Sequence, residues 1–103
     1  MAVIPKSFFN GYMLNTTTTH YTVPAGITAI VKNVVICNVT NTDQVVDLEV
    51  GSGGGHILQQ ATIKAKDTIV MDLSIVLNAG HTIKSKVNVG VQCSLIVSGV
   101  EVS

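Results

Sequence analysis

Four glycines in five positions, Gly51, Gly53, Gly54 and Gly55, lie within the stretch VGSGGGHIL and are the first place to look for phosphate chemistry. A dinucleotide-binding turn needs glycine at the first, third and sixth positions of a loop that opens a helix, so that the backbone can approach the pyrophosphate. Counted from Gly51, the third position is Gly53, but the sixth is His56. A P-loop needs Gly-Lys-Ser/Thr after four spacer residues, the lysine reaching the phosphates. Here the same His56 is followed by Ile57 and Leu58. The next residues, HILQQATIK, carry no N-cap pattern that would build an anion site on a helix dipole. The run reads as a connection between two strands.

The remaining chemistry-bearing residues are scattered. His20, His56 and His81 each lie at or near a turn signal, and none sits at metal-motif spacing from a second His, Cys or carboxylate. Asp47 and Glu49 share one face of a strand two residues apart, a pattern that marks a solvated side more often than an acid–base pair. No GxSxG elbow is present, and Cys37 and Cys93 lack a recognisable base nearby in sequence. The two cysteines, with 55 residues between them and each in an apolar alternating run, resemble the spacing of an immunoglobulin inter-sheet bridge, but the chain has no tryptophan to pack on it. Two reduced, buried thiols are the expectation. Asn15-Thr16-Thr17 and Asn38-Val39-Thr40 match the glycosylation sequon, which matters only in a secreted eukaryotic chain. No catalytic, cofactor-binding or metal site is expected, and the chain is not expected to be an enzyme.

Composition narrows the partners. Six lysines, no arginine and six acidic residues give a formal net charge of zero, so there is no basic face for nucleic acid. The start, MAVIPKSFFNGYML, lacks the basic and continuous apolar regions of a secretory signal. Lys32, Asn33 and Asn38 interrupt the most apolar window, Ile27 to Val39, which is too short to span a bilayer. Small-molecule substrates are not indicated either. Only 12% of the residues are charged while 47% are hydrophobic. That balance suits a chain whose surface is partly covered by other protein.

Elements that could position these residues are strands. Val, Ile and Thr number 17, 10 and 11, and β-branched side chains favour a pleated surface over a helix. Turn signals predict strands near Tyr12–Thr17, His20–Val23, Thr28–Thr40, Gln44–Val50, Ile57–Ala65, Thr68–Leu77, Thr82–Val89 and Val91–Val102. One domain over residues 10–103 follows, an all-β, antiparallel β-sandwich of about eight strands, jelly-roll-like. Residues 1–9 form an N-terminal segment, either an arm for a neighbouring subunit or an ordinary terminal strand.

In Thr68–Leu77 one face carries Ile69, Met71, Leu73, Ile75 and Leu77, and the other carries Asp72 and Ser74. Thr28–Thr40 is apolar on both sides, with Ile30, Val34 and Ile36 opposing Val31, Val35, Cys37 and Val39. Such a strand is either central in its own domain or covered by another chain, and a bulge is expected near Lys32–Asn33. The segments VPAGIT (23–28) and LNAGHT (77–82) echo one another and suggest two equivalent corners.

Three stretches taken in order, HYTVPAGITAIVKNVVICNVT, LNAGHTIK and LIVSGVEVS, resemble small virion structural proteins of tailed bacteriophages. In those proteins a TVPAG turn leads into a long apolar strand, an L-x-AG-x-TI turn follows, and an SGVE-like strand closes the chain. The likeness covers about residues 10–103. It departs at His81, where the family often has Asp, and the glycine run falls in a region that varies in the family. The resemblance implies a non-enzymatic β-sandwich component of the phage particle, assembled in the host bacterial cytoplasm. Its expected partners are the major capsid protein or other virion proteins, and a homo-oligomer is the default. Capsid decoration or cementing is the preferred role. The alternative is a tail- or fibre-associated module that binds host glycan, for which Phe8, Phe9, Tyr12 and Tyr21 are the available aromatics.

Overall fold

A chain so rich in β-branched residues forms strands along almost its whole length. The computed structural model describes residues 2–52, 55–90 and 93–103. Eight strands are present: β1 (Val3–Tyr12), β2 (Thr18–Thr22), β3 (Thr28–Asn38), β4 (Gln44–Gly51), β5 (Gly55–Ile63), β6 (Thr68–Leu77), β7 (Thr82–Val87) and β8 (Cys93–Val102). Strands β1, β8, β3 and β6 make one sheet in that order (sheet A), and β2, β7, β4 and β5 make the other (sheet B). All pairings are antiparallel. The pairs β1:β8, β2:β7, β3:β6 and β4:β5 describe one long hairpin, folded over so that successive pairs alternate between sheets. This is the jelly-roll order of a β-sandwich.

Alternation along the strands fills the space between the sheets. On β4, Gln44, Val46, Leu48 and Val50 point inward while Val45, Asp47 and Glu49 face out. On β8 the inward residues are Cys93, Leu95 and Val97. Met13, Ile36, Leu77, Ile83 and Val87 complete a core that solvent does not reach.

Each corner of the folded hairpin is tied to its counterpart. Pro24 to Ile27 and Asn78 to His81 are both four-residue turns closed by a backbone bond, Ile27 N to Pro24 O and His81 N to Asn78 O. Gly26 and Gly80 occupy equivalent positions with φ of 78° and 88°, which an L side chain resists. The echoing segments are therefore side-by-side corners, joined by Val23 N to His81 O and Gly80 N to Val23 O at 2.9 Å each. At another corner the buried Asn38 side chain donates to Thr42 O and Ile63 O and accepts from Thr40 N and Thr40 Oγ1. That network excludes Asn38 as a glycan acceptor in the folded chain.

Two expectations change. The first strand runs from Val3 to Tyr12 rather than from Tyr12 to Thr17, so residues 3–9 pair with β8 as part of sheet A. Alternation fails there because β1 carries an extra residue between Ser7 and Phe9, which lets Phe8 and Phe9 both turn toward the core. On β3 the expected bulge is present, and it switches the inward set from Ala29 and Val31 to Val34 and Ile36. Val31 and Val34 thus share the core, where uninterrupted alternation would oppose them. The start of the eighth predicted strand, Val91, lies outside the described residues, as do Gly53 and Gly54 of the glycine run.

Candidate interaction surface

The two sheets present chemically different outer faces, and the bulges set that difference. Strand β8 runs between two strands that each carry one extra residue at the level of Ser98. Lys32 and Asn33 consequently follow one another on the outside of β3, where Lys32 Nζ lies 3.5 Å from Ser74 Oγ and Asn33 Nδ2 donates to Asp72 Oδ1 at 2.9 Å. Gly99 is required at this level, because a Cβ there would lie 1.9 Å from the Ile30 carbonyl oxygen.

From β1 across to β6, the outward rows of sheet A can be read from the register. Pro5, Val100, Ile30 and Val76 form one row, and Asn10, Ile96, Val35 and Val70 form another. Between them runs a polar row of Ser7, Ser98, Asn33 and Asp72. Val3 and Val102 extend the first side, and Tyr12, Ser94 and Cys37 the second. Val70 and Val76 are 62% and 57% exposed. The face is thus two apolar zones divided by a narrow polar band. A shallow open depression beside the band is lined by Pro5, Lys6, Ser7, Lys32, Ser98 and Gly99. Both of its lysines are engaged, Lys6 with Glu101 at 3.9 Å and Lys32 with Ser74.

The outside of sheet B is polar. Lys84 stands across from Thr19 and Glu49, Lys86 from Asp47, and Thr82 from Thr22. His56 Nε2 lies 3.1 Å from Glu49 Oε1. Asp47 and Glu49 share this solvated face, each opposite a lysine, and Asp47 Oδ1 also accepts from Gln60 N.

The histidines do not converge. His81 Nδ1 accepts from Asn78 N within its turn. His20, at a register shift in β2, stacks on Phe9 with ring centroids 3.8 Å apart and contacts Ser85 Oγ through Nε2. Sequence spacing gave no sign of this pair, which sits 65 residues apart. Its geometry resembles a nucleophile with its base, but Ser85 is only 2% exposed and points between the sheets. Burial pulls the His20 pKa below its ordinary value. Nearby, the Tyr21 hydroxyl donates to Glu101, and burial, followed by that bond and the carboxylate charge, pushes the phenol well above its usual range. Among the described residues no group of three or more His, Cys, Asp or Glu is arranged to hold a metal ion.

Both cysteines are unpaired, and they lie on neighbouring strands of the same sheet rather than across the sandwich. Cys93 faces the core, where burial and then the neighbouring Cys37 push its thiol up to about 11. Cys37 is half-buried on the outer face, which corrects the expectation of two buried thiols. The glycine run joins β4 to β5: Gly51 closes β4 with φ of 101°, and Gly55, which starts β5, pairs with Val50. Of the four aromatics, Phe8 is buried, Phe9 and Tyr21 pack against the core, and Tyr12 is 51% exposed. Neither a model of any protein family nor any curated protein matches this chain.

Proposed function

We propose that the chain is a non-enzymatic structural protein of a bacteriophage particle, a capsid decoration or cement protein that binds other virion proteins. The observation that carries this reading is the apolar outer face of sheet A beside a polar sheet B. Four strands about ten residues long present roughly 600 Å², close to one partner's share of a standard protein interface of about 800 Å². On that face two exposed apolar zones flank a polar band, and exposed apolar patches rimmed by polar residues mark contact sites. The jelly roll is a recurrent capsid architecture, though fold alone does not assign function. The TVPAG, LNAGHTIK and SGVE motifs point the same way. Glycan binding at a tail fibre has less support, since Tyr12 alone offers an aromatic ring to solvent.

Particles lacking the chain, mixed with purified protein, test the reading. Wild type is expected to bind to saturation at a fixed ratio. Val35→Lys with Ile96→Glu, an opposite-charge cross-strand pair placed on the outer face and leaving the core untouched, is expected to fold and fail to bind. Equal binding by the double variant removes the sheet A face from the account.

A further inference from the structure

The sandwich has four strand edges, and they are not equally protected. An open edge offers unpaired backbone groups to any other strand, so natural edges carry devices that block addition. Strand β1 has Pro5, Lys6 and the bulge at Phe8. Strand β2 is five residues long and shifts register at His20. Strand β5 slips twice against β4 and holds Gln60 at a φ of 48°. Strand β6, TIVMDLSIVL, pairs only with β3. It has no proline, glycine or lysine, and its in–out alternation is unbroken over ten residues, with one slip against β3 where Leu73 and Ser74 together oppose Lys32. Its inward residues Ile69, Met71, Leu73 and Ile75 pack on the core but stay partly exposed.

We propose that β6 is the dimerisation edge of this protein and that its occupant is the β6 strand of a second copy, antiparallel about a two-fold axis at Leu73. Symmetry and side-chain parity select this register. A two-fold between residues would set inward side chains opposite outward ones, so the axis passes through a residue. The two registers with the greatest overlap centre on Asp72 and Leu73. Centring on Asp72 places two carboxylates directly opposite, which is destabilising. Centring on Leu73 sets Val70 across from the partner subunit's Val76, Met71 across from the partner subunit's Ile75, and Asp72 across from the partner subunit's Ser74. The charges then complement: Lys32 lies 3.5 Å from Ser74 of its own chain, and so stands beside the partner subunit's Asp72, with the reverse contact on the other side of the axis. The two exposed large hydrophobics of β6, Val70 and Val76, cover each other, and the two copies of sheet A become one eight-stranded sheet. This pairing concerns the edge and does not depend on the virion reading, which concerns the face.

Sedimentation velocity of the full chain, read with charge and cysteine variants, tests it. Wild type is expected to show a concentration-dependent dimer. Asp72→Lys alone and Lys32→Asp alone each weaken it about tenfold or more, and the double reversal restores it. In a Cys37→Ser background, oxidation of Val70→Cys mixed with Val76→Cys yields a cross-linked dimer, while either variant alone yields little. Both valines are exposed, so folding is unaffected, which circular dichroism checks. A wild type that stays monomeric up to millimolar concentration overturns the proposal. So does a dimer indifferent to both charge reversals, or one that cross-links as readily within one variant as between the two.

Discussion

Asn38 shows how much a single side chain does in a small sandwich. Its amide donates to two carbonyls, one on the loop to β4 and one at the end of β5, while its oxygen holds Thr40. Asn38→Ala leaves those buried groups without partners, and a buried unsatisfied group costs about 1–3 kcal/mol. A loss of about 3 kcal/mol, read from the urea midpoint at unchanged slope, is expected. His20 links stability to pH. Its folded pKa is lowered by burial, so the unfolded chain binds the proton more readily. The contribution is complete above the unfolded value of about 6.5 and is lost as pH falls through it toward the folded value. Urea midpoints should therefore drop between pH 7.5 and 5.5, and His20→Gln should flatten that dependence. An unchanged slope in the variant assigns the effect elsewhere. Neither role was legible in the sequence, because both depend on residues 25 to 65 positions away that only the folded hairpin brings close.

Strands with regular alternation were legible with their facing, while a bulge hid β1 altogether and, on β3, was itself expected but hid which residues face the core. Thr68–Leu77 and Gln44–Val50 alternate cleanly, and the inward set of the first and the outward Asp47 and Glu49 of the second are the ones read from the chain. β1 escaped because the extra residue at Phe8 sets two phenylalanines side by side and destroys the period. β3 looked apolar on both faces because one bulge moves the inward set from odd to even positions. The turns fared better, since Gly26 and Gly80 are demanded by positive φ and therefore show in the residue type. The bulges flanking β8 also make a prediction. Gly99→Ala drives a methyl group into the Ile30 carbonyl, so sheet A must part there. A loss of more than about 2 kcal/mol is expected, measured by thermal or chemical unfolding. A neutral substitution would mean that the bulges give way at little cost.

At the scale of the molecule, chemistry is separated by sheet rather than gathered at a site. The part-buried His20–Ser85 and Tyr21–Glu101 contacts border the core, sheet B faces water with lysines and carboxylates, and sheet A carries two apolar zones about a polar band. Composition announced a surface with little charge, but it could not say which face held it, because the parity of β3 decides that. In the proposed role this face docks on a phage particle. Hydrogen exchange of the chain in purified particles, compared with the free chain, measures this most directly. A fixed copy number per particle is expected, with slowed exchange on the strands of sheet A and unchanged exchange on β4 and β7. Absence from particles, or a sheet A that exchanges as fast bound as free, would contradict it.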